Sequence, residues 1–296
     1  MSDSSDKVSG KYFKKGSQSE PQQDPGIAPK PILALDPDCA AAWFYKGNGL
    51  HSMGRFEEAL DCFEKALALD PHNAAVWTNK GVSLTKLGRN KEAMYCCDKA
   101  LELDPRNAGA WFNKGTRLGG LGRNEEALDC FEKALALDPG DTATWFNKGS
   151  SLGGLGRNEE ALDCFDKALE LGLHDAHIWT NKGNSLDNLG RYEEAIDCCD
   201  KALELDPRNV DAWNNKGNSL ATLGRFEEAL DCCDKVLELD PRNVDAWINK
   251  ALAEDVLNRW REAVRSYQQF LILAPAQQYA TQIEHARKRL QEMGNK

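Results

Sequence analysis

Seven tryptophans stand 34 residues apart: Trp43, Trp77, Trp111, Trp145, Trp179, Trp213 and Trp247. A fixed step of this size marks a stacked repeat array, in which each unit buries an apolar face against its neighbours. The period overrides what length alone suggests, since 296 residues would otherwise imply about two globular domains. An array grows by adding units, and what it offers is an extended surface rather than an enclosed pocket.

Seven full units are read over 40–73, 74–107, 108–141, 142–175, 176–209, 210–243 and 244–277. Each opens with a helix whose small or apolar residues fall at i, i+4 and i+7, as in Trp77, Gly81 and Leu84. Gly88 ends that helix, because glycine accepts the left-handed conformation of a tight exit. A second helix carries Ala93, Met94, Cys97, Ala100 and Leu101 on one face. Asp104-Pro105 stops it, and Asn107 is placed to cap the next helix.

Both ends of the array depart from this pattern. Pro31-Ile32-Leu33-Ala34-Leu35-Asp36-Pro37 matches the end of a unit, so the array is read as 31–277 with a degenerate start over 31–39. Residues 1–30 are rich in Ser, Lys, Gln, Pro and Gly and read as a disordered tail. Residues 278–296 read as a capping helix with Tyr279, Ile283, Ala286 and Leu290 on one face. In the last unit Ala251 and Asn258 replace glycines and Phe270 replaces Ala. One inner join differs too: Gly172-Leu173 stands in place of Asp-Pro, which predicts a softer hinge between the fourth and fifth units. The nearby pair His174 and His177 would need a third ligand to hold a metal, and reads as an exposed turn.

The formal net charge is −10, and the acidic excess lies in the array rather than at either end. Nucleic-acid binding needs a basic face, so the expected partner is a neutral to basic protein or peptide. No run of about 18 apolar residues spans a membrane. The start, MSDSSDKVSGKYFKKG, lacks a signal-peptide core, and the expected location is cytoplasmic. Cys62, Cys96, Cys130, Cys164, Cys198 and Cys232 also repeat at 34, and Cys97, Cys199 and Cys233 fill a site held by Phe63, Phe131 and Phe165 elsewhere. That exchange marks Cys as a small apolar residue. Stacked helices lie about 8–10 Å apart and a disulfide needs Cα atoms within roughly 7 Å. A disulfide ladder is therefore not expected, and the free thiols suit a reducing compartment.

Trp43, Gly47, Ala59, Phe63 and Pro71 follow the pattern W-x2-L-G-x2-Y…A-x3-F…P. In this the chain resembles the tetratricopeptide repeat family, and the match recurs in register over about residues 31–277. It departs at two positions: the family's Leu is Lys in every unit, from Lys46 through Lys250, and its Tyr is Leu in six units and Glu254 in the last. The resemblance implies an all-α fold, a right-handed α-solenoid of seven helical hairpins plus the C-terminal capping helix.

An asparagine column follows two residues after six of the tryptophans: Asn79, Asn113, Asn147, Asn181, Asn215 and Asn249. An amide can pair with both backbone groups of an extended peptide. The column resembles the asparagine ladder in the repeat array of O-GlcNAc transferase, which implies a grip on peptide backbone. The alternative is that N-K-G was copied with each unit. The family's concave positions, carried onto this chain, put Phe112 and Phe146 on a shallow aromatic floor beside the Gly119-Gly120 and Gly153-Gly154 pairs. They put Asp211, Asp245 and Asp255 in an acidic C-terminal part. Those Gly pairs read either as room for a close ligand or as a copied feature. The expected ligand is an extended segment, apolar near Phe112 and Phe146 and basic toward Asp211 and Asp245. The clamp with which some family members grip acidic chaperone tails is not expected, because its basic positions hold Thr180 or Asn214 and Asp245.

No residue is assigned a catalytic role, and no cofactor or metal is implied. The five His form no nucleophile motif, and the L-G-G-L-G runs fall in helix and turn rather than in a phosphate loop. The reading is a non-catalytic scaffold or adaptor for protein–protein interaction. Its rivals are a self-assembling array and a thiol-based redox or metal sensor.

Overall fold

The computed structural model describes residues 38–294. The tail expected over 1–30, and the degenerate start except its last two residues, lie outside the described residues. Fifteen helices and no strand occur among the described residues. The first three hairpins are α1 (Ala40–Ser52) with α2 (Phe56–Leu69), α3 (Ala74–Lys86) with α4 (Asn90–Leu103), and α5 (Ala108–Gly120) with α6 (Asn124–Leu137). The fourth unit supplies α7 (Thr142–Gly154) and α8 (Asn158–Glu170). Then come α9 (Ala176–Asn188) with α10 (Tyr192–Leu205), α11 (Val210–Thr222) with α12 (Phe226–Leu239), and α13 (Val244–Val256) with α14 (Trp260–Leu273). The capping helix is α15 (Ala280–Gly294). Two compact units divide between α7 and α8, one ending at Leu155 and the other starting at Gly156. The division falls before the Gly172-Leu173 join.

The joins follow from local chemistry. Gly54, Gly88, Gly122, Gly156, Gly190 and Gly224 hold φ between 73° and 77°, a region that costs other residues a Cβ clash. In the last unit Asn258 takes the same turn at φ 58°, as the residue that best tolerates it after Gly. At the Asp-Pro joins Asp104 Oδ1 accepts the Arg106 N–H at 2.9 Å, and Asn107 Oδ1 caps α5 by accepting the Ala110 N–H at 2.9 Å. Five of the tryptophans then fasten their helices to the preceding join. The indole N–H of Trp77, Trp111, Trp145, Trp213 and Trp247 donates to the carbonyl of Pro71, Pro105, Pro139, Pro207 and Pro241 at 2.9–3.1 Å. Where Leu173 replaces Pro, α8 stops earlier, Gly172 turns the chain at φ 95°, and Leu173 itself is buried.

Inside a hairpin, two pairs of residues trade together. Where the second helix carries Phe63, Phe131 or Phe165, the residue after Trp is Phe44, Phe112 or Phe146. Where it carries Cys97, Cys199 or Cys233, that residue is Thr78, Thr180 or Asn214. Phe44 lies 6.3 Å from Phe63 and Phe112 lies 6.3 Å from Phe131, centroid to centroid. Gly47 and Gly115 leave the room: a Cβ there would stand 2.6 Å and 2.7 Å from the Phe63 and Phe131 rings.

In the first unit α1, α3, α5 and α7 touch in succession, and in the second α9, α11 and α13 do. Within each unit no comparable contact links successive second helices among the described residues. Within each unit the first helices therefore make the inner layer, and their residues at the 34-residue repeat form rows across it.

Candidate functional site

The lysine column that departs from the family pattern is structural. Lys114 bonds Asp98 at 2.7 Å, Lys80 bonds Glu64 at 3.0 Å and Lys148 bonds Glu132 at 3.1 Å. Lys182, Lys216 and Lys250 reach Asp166, Asp200 and Asp234 in the same way. Each pair ties a first helix to the second helix before it. Each ammonium also stands over its own tryptophan, Lys114 at 5.9 Å from the Trp111 ring.

All six asparagines of the predicted column are half-buried on first helices, but they do not share one role. Asn79 donates to Asn48 Oδ1 and Asn249 to Asn218 Oδ1, both at 2.8 Å, which spends those amides on the neighbouring hairpin. Asn147 donates back to the Ala143 carbonyl at 2.8 Å. The side chains of Asn113 and Asn215 make no hydrogen bond among the described residues. Asn181 is half-buried like the others. A second row lies alongside: His51 Nδ1 and the Ser83 hydroxyl stand 2.8 Å apart, and the Ser219 hydroxyl donates to Asp187 Oδ1 at 2.5 Å.

The aromatic floor is corrected. Phe146 is 1% exposed and offers no ring surface to a ligand. Phe112 is half-buried in the core with Leu118, Ala127 and Phe131. Both are the inner partners of the trading pair described above, so their volume serves hairpin packing. Of the adjoining glycines Gly120 leaves space, with nothing within 4 Å of an added Cβ, whereas a Cβ at Gly154 would stand 2.8 Å from the Asn124 amide nitrogen.

The acidic end is corrected in part. Asp211 is exposed on α11. Asp245 accepts the Tyr279 hydroxyl at 2.9 Å, and Asp255 accepts a two-pronged bond from Arg289 at 2.6 Å on each oxygen. Tyr279 and Arg289 each stand 34 residues beyond the acid they meet. The α15 segment thus continues the register as the first helix of a further unit, and its contacts use the last two acidic positions of the inner row. Beneath it, Ser266 donates to the buried Glu254 at 2.7 Å and Tyr267 to Asp255 at 3.2 Å. Burial pushes the Glu254 carboxyl above its ordinary range, whereas the Arg289 bond holds that of Asp255 below it.

Nine cysteines are buried, Cys39 being half-buried. Burial pushes the Cys96 and Cys232 thiols up to about 11, and those of Cys97, Cys199 and Cys233 up to about 12. Thiols held protonated in this way are poor nucleophiles and metal ligands, which tells against the sensor reading. No helix among the described residues is long and apolar enough to cross a membrane.

The sequence profiles of one family, described as Tetratricopeptide repeat, match residues 40–73, 74–107, 108–141, 142–171, 176–209 and 210–243. No curated protein matches the chain in sequence. Among solved structures it is similar to YrrB, a TPR protein with an unusual peptide-binding site, at 26% identity over 65% of this chain and 97% of that one, with a TM-score of 0.54. It is also similar to PilF of Pseudomonas aeruginosa (22% identity, 70% of this chain and 94% of that one, TM-score 0.63). A repeat protein from Parabacteroides merdae matches at 17% identity over 86% of this chain and 98% of that one, with a TM-score of 0.61.

Proposed function

Because this chain belongs to the tetratricopeptide repeat family, whose members generally mediate protein–protein interaction, we propose that it is a non-catalytic scaffold that holds an extended peptide against its inner helices. The observation that carries this reading is the state of Asn113 and Asn215. Each is a half-buried amide on a first helix with no hydrogen-bonding partner among the described residues. A buried or half-buried amide without a partner is costly, and an extended backbone supplies one donor and one acceptor per residue to meet it. The peptide-binding site named for YrrB, a structure of the same fold, supports a peptide as the kind of ligand. Asp211, exposed on α11, favours a basic residue of the ligand at the second unit.

The test is affinity capture of partners from the native host with quantitative mass spectrometry, comparing the full chain with an Asn113→Ala/Asn215→Ala variant. Neither substitution breaks an internal hydrogen bond, so circular dichroism should show both proteins equally helical. Partners that fall by tenfold or more in the variant support the inner surface. Partners captured equally by both would move binding away from it.

A further inference from the structure

The last second helix reverses the charge that the other second helices of its unit turn to solvent. On α12, Glu227, Asp231, Asp234 and Glu238 fall at i, i+4, i+7 and i+11, on the side opposite the buried Ala229, Cys233 and Val236. The same four places hold Glu193, Asp197, Asp200 and Glu204 on α10, and Glu159, Asp163, Asp166 and Glu170 on α8. On α14 they hold Arg261, Arg265, Gln268 and Ile272. All four are exposed, Ile272 by 73%.

Folding accounts for only one of these exchanges. Asp234 bonds Lys250 of the following first helix, but α15 carries Glu284 where that lysine column would continue, so a carboxylate in place of Gln268 would be repelled. Arg261 is the second residue of α14. A cation there opposes the helix dipole, which the sister helices meet with Glu. Arg261 and Arg265 make no hydrogen bond or ion pair among the described residues. Asp231 on α12 makes none either, and Glu227 has only Arg259, at 3.8 Å. That contact joins the residue before α14 to the first turn of α12. The two helices therefore start side by side, one repeat apart and pointing the same way.

An acidic stripe beside a basic one on the same outward surface is complementary to itself. A two-fold axis lying between α12 and α14, and parallel to them, lays α14 of one copy over α12 of another, and α12 over α14. Because the helices share one register, each residue of α14 then comes opposite the residue 34 places earlier in the second copy. Arg261 meets Glu227, Arg265 meets Asp231, and Ile272 covers the aliphatic stem of Glu238. We propose that this surface is a self-association site, through which two copies of the chain form a two-fold dimer. Such a contact closes on itself and ends at the dimer. It spans about three turns of two helices, which is small for a stable complex, so the dimer is weak and dissolves in salt. The first helices lie on the other side of each hairpin and stay open in both copies.

The test is sedimentation equilibrium of the full chain over a range of concentrations, in low and high salt. At low salt the mass should rise with concentration to twice that of the chain and no further, and in high salt it should return to the monomer. Arg265→Asp and Asp231→Arg should each weaken the dimer tenfold or more, since each change acts twice across the axis. The double variant, which swaps the two charges, should recover most of the lost affinity. Arg261→Glu should weaken the dimer while raising the melting temperature of the dilute monomer, because it restores the favoured charge at the start of α14. A chain that stays monomeric throughout overturns the proposal and leaves the stripe to an acidic partner of another kind. A mass that grows beyond the dimer overturns it in favour of open pairing with α8 or α10. A dimer indifferent to salt or to Arg265→Asp, or a double variant no better than the single ones, also overturns it.

Discussion

In the third hairpin, α5–α6, Phe112 lies against Phe131 and Gly115 makes room for the ring; in the last, α13–α14, Ile248, Tyr267 and Ala251 hold those places. The third hairpin fills its centre with apolar groups, Leu118, Ala127, Phe131 and the Cys130 thiol. The last one buries a phenol and two carboxylates, Tyr267, Glu254 and Asp255, and closes them with Arg289 from α15. An interior unit can be wholly apolar because another unit follows it. The terminal unit needs polar groups that can be satisfied by a helix facing water on its far side. The difference teaches that a residue copied through the array records packing, and that a departure from the copy records a local demand. The reversed charges of Arg261 and Arg265 on α14 are such a departure.

The largest expected effect tests the apolar side of this comparison. Phe131→Ala should cost about 3–5 kcal/mol, the usual range for a buried Phe truncated in a core. Urea unfolding should show it as a lower midpoint. Phe131→Cys should cost less if Phe112 is changed to Thr at the same time, because that pair already fills the second hairpin as Thr78 and Cys97. A double variant no better than the single one would break the idea of a traded pair.

A smaller effect tests the polar side. Arg289→Ala should destabilise the second unit by about 1–3 kcal/mol, the cost of leaving a nearly buried carboxylate without its charged partner. The effect should depend on pH in a fixed direction. The Arg289 bond holds the Asp255 carboxyl below its ordinary range, so folding favours its ionised form. That stabilisation is complete above the ordinary Asp range and is lost as pH falls through the depressed value. Wild type and variant should therefore converge in acid. Glu254 acts in the opposite sense, since burial raises it and protonation relieves it. Melting curves of both proteins across acidic to neutral pH decide the matter. A gap that stays constant into acid would mean that the bond contributes packing and not charge.

Much of the fold was legible because the signals are local. The tryptophan period, the glycine exits and the Asp-Pro joins with their Asn caps all depend on backbone conformation within a few residues. The candidate site was less legible. Phe112 and Phe146 were read as a groove floor from family positions, although their exchange with Phe131 and Phe165 against Thr and Cys was visible in the units themselves. Asp245 and Asp255 were read as open acids because the register was not carried past residue 277, where Tyr279 and Arg289 wait one period on. The asparagine column read as uniform, yet the residue five after each Trp helps to set the partner, although Asn184 stands at that place opposite Asn215 and accepts from Asn188 instead. Asn48 and Asn218 supply one, whereas Val82 cannot.

The lysine column gives the smallest effect and the sharpest check on what copying means. Its acidic partner lies 16 residues earlier in the pairs from Lys80 to Lys250, a spacing that belongs to neither helix nor strand and so escapes periodicity. Lys114 is a fair representative: it pairs with a half-exposed Asp98 and covers Trp111. A partly exposed pair contributes about 0–1 kcal/mol, and a cation over an indole contributes about 0.5–1 kcal/mol at such a site. Leucine, the residue usual in the family, would lose both and gain burial against the same ring. Lys114→Leu should therefore shift stability by about 1 kcal/mol or less in either direction, and Lys250→Leu should match it, since the two hairpins share this contact while differing in their cores. Chemical unfolding of both variants gives the answer. Equal, small shifts would assign the column to copied packing at the surface. A loss beyond about 2 kcal/mol confined to Lys250 would mean that the terminal unit, with Glu254 and Asp255 buried close by, leans on that charge as the interior unit does not.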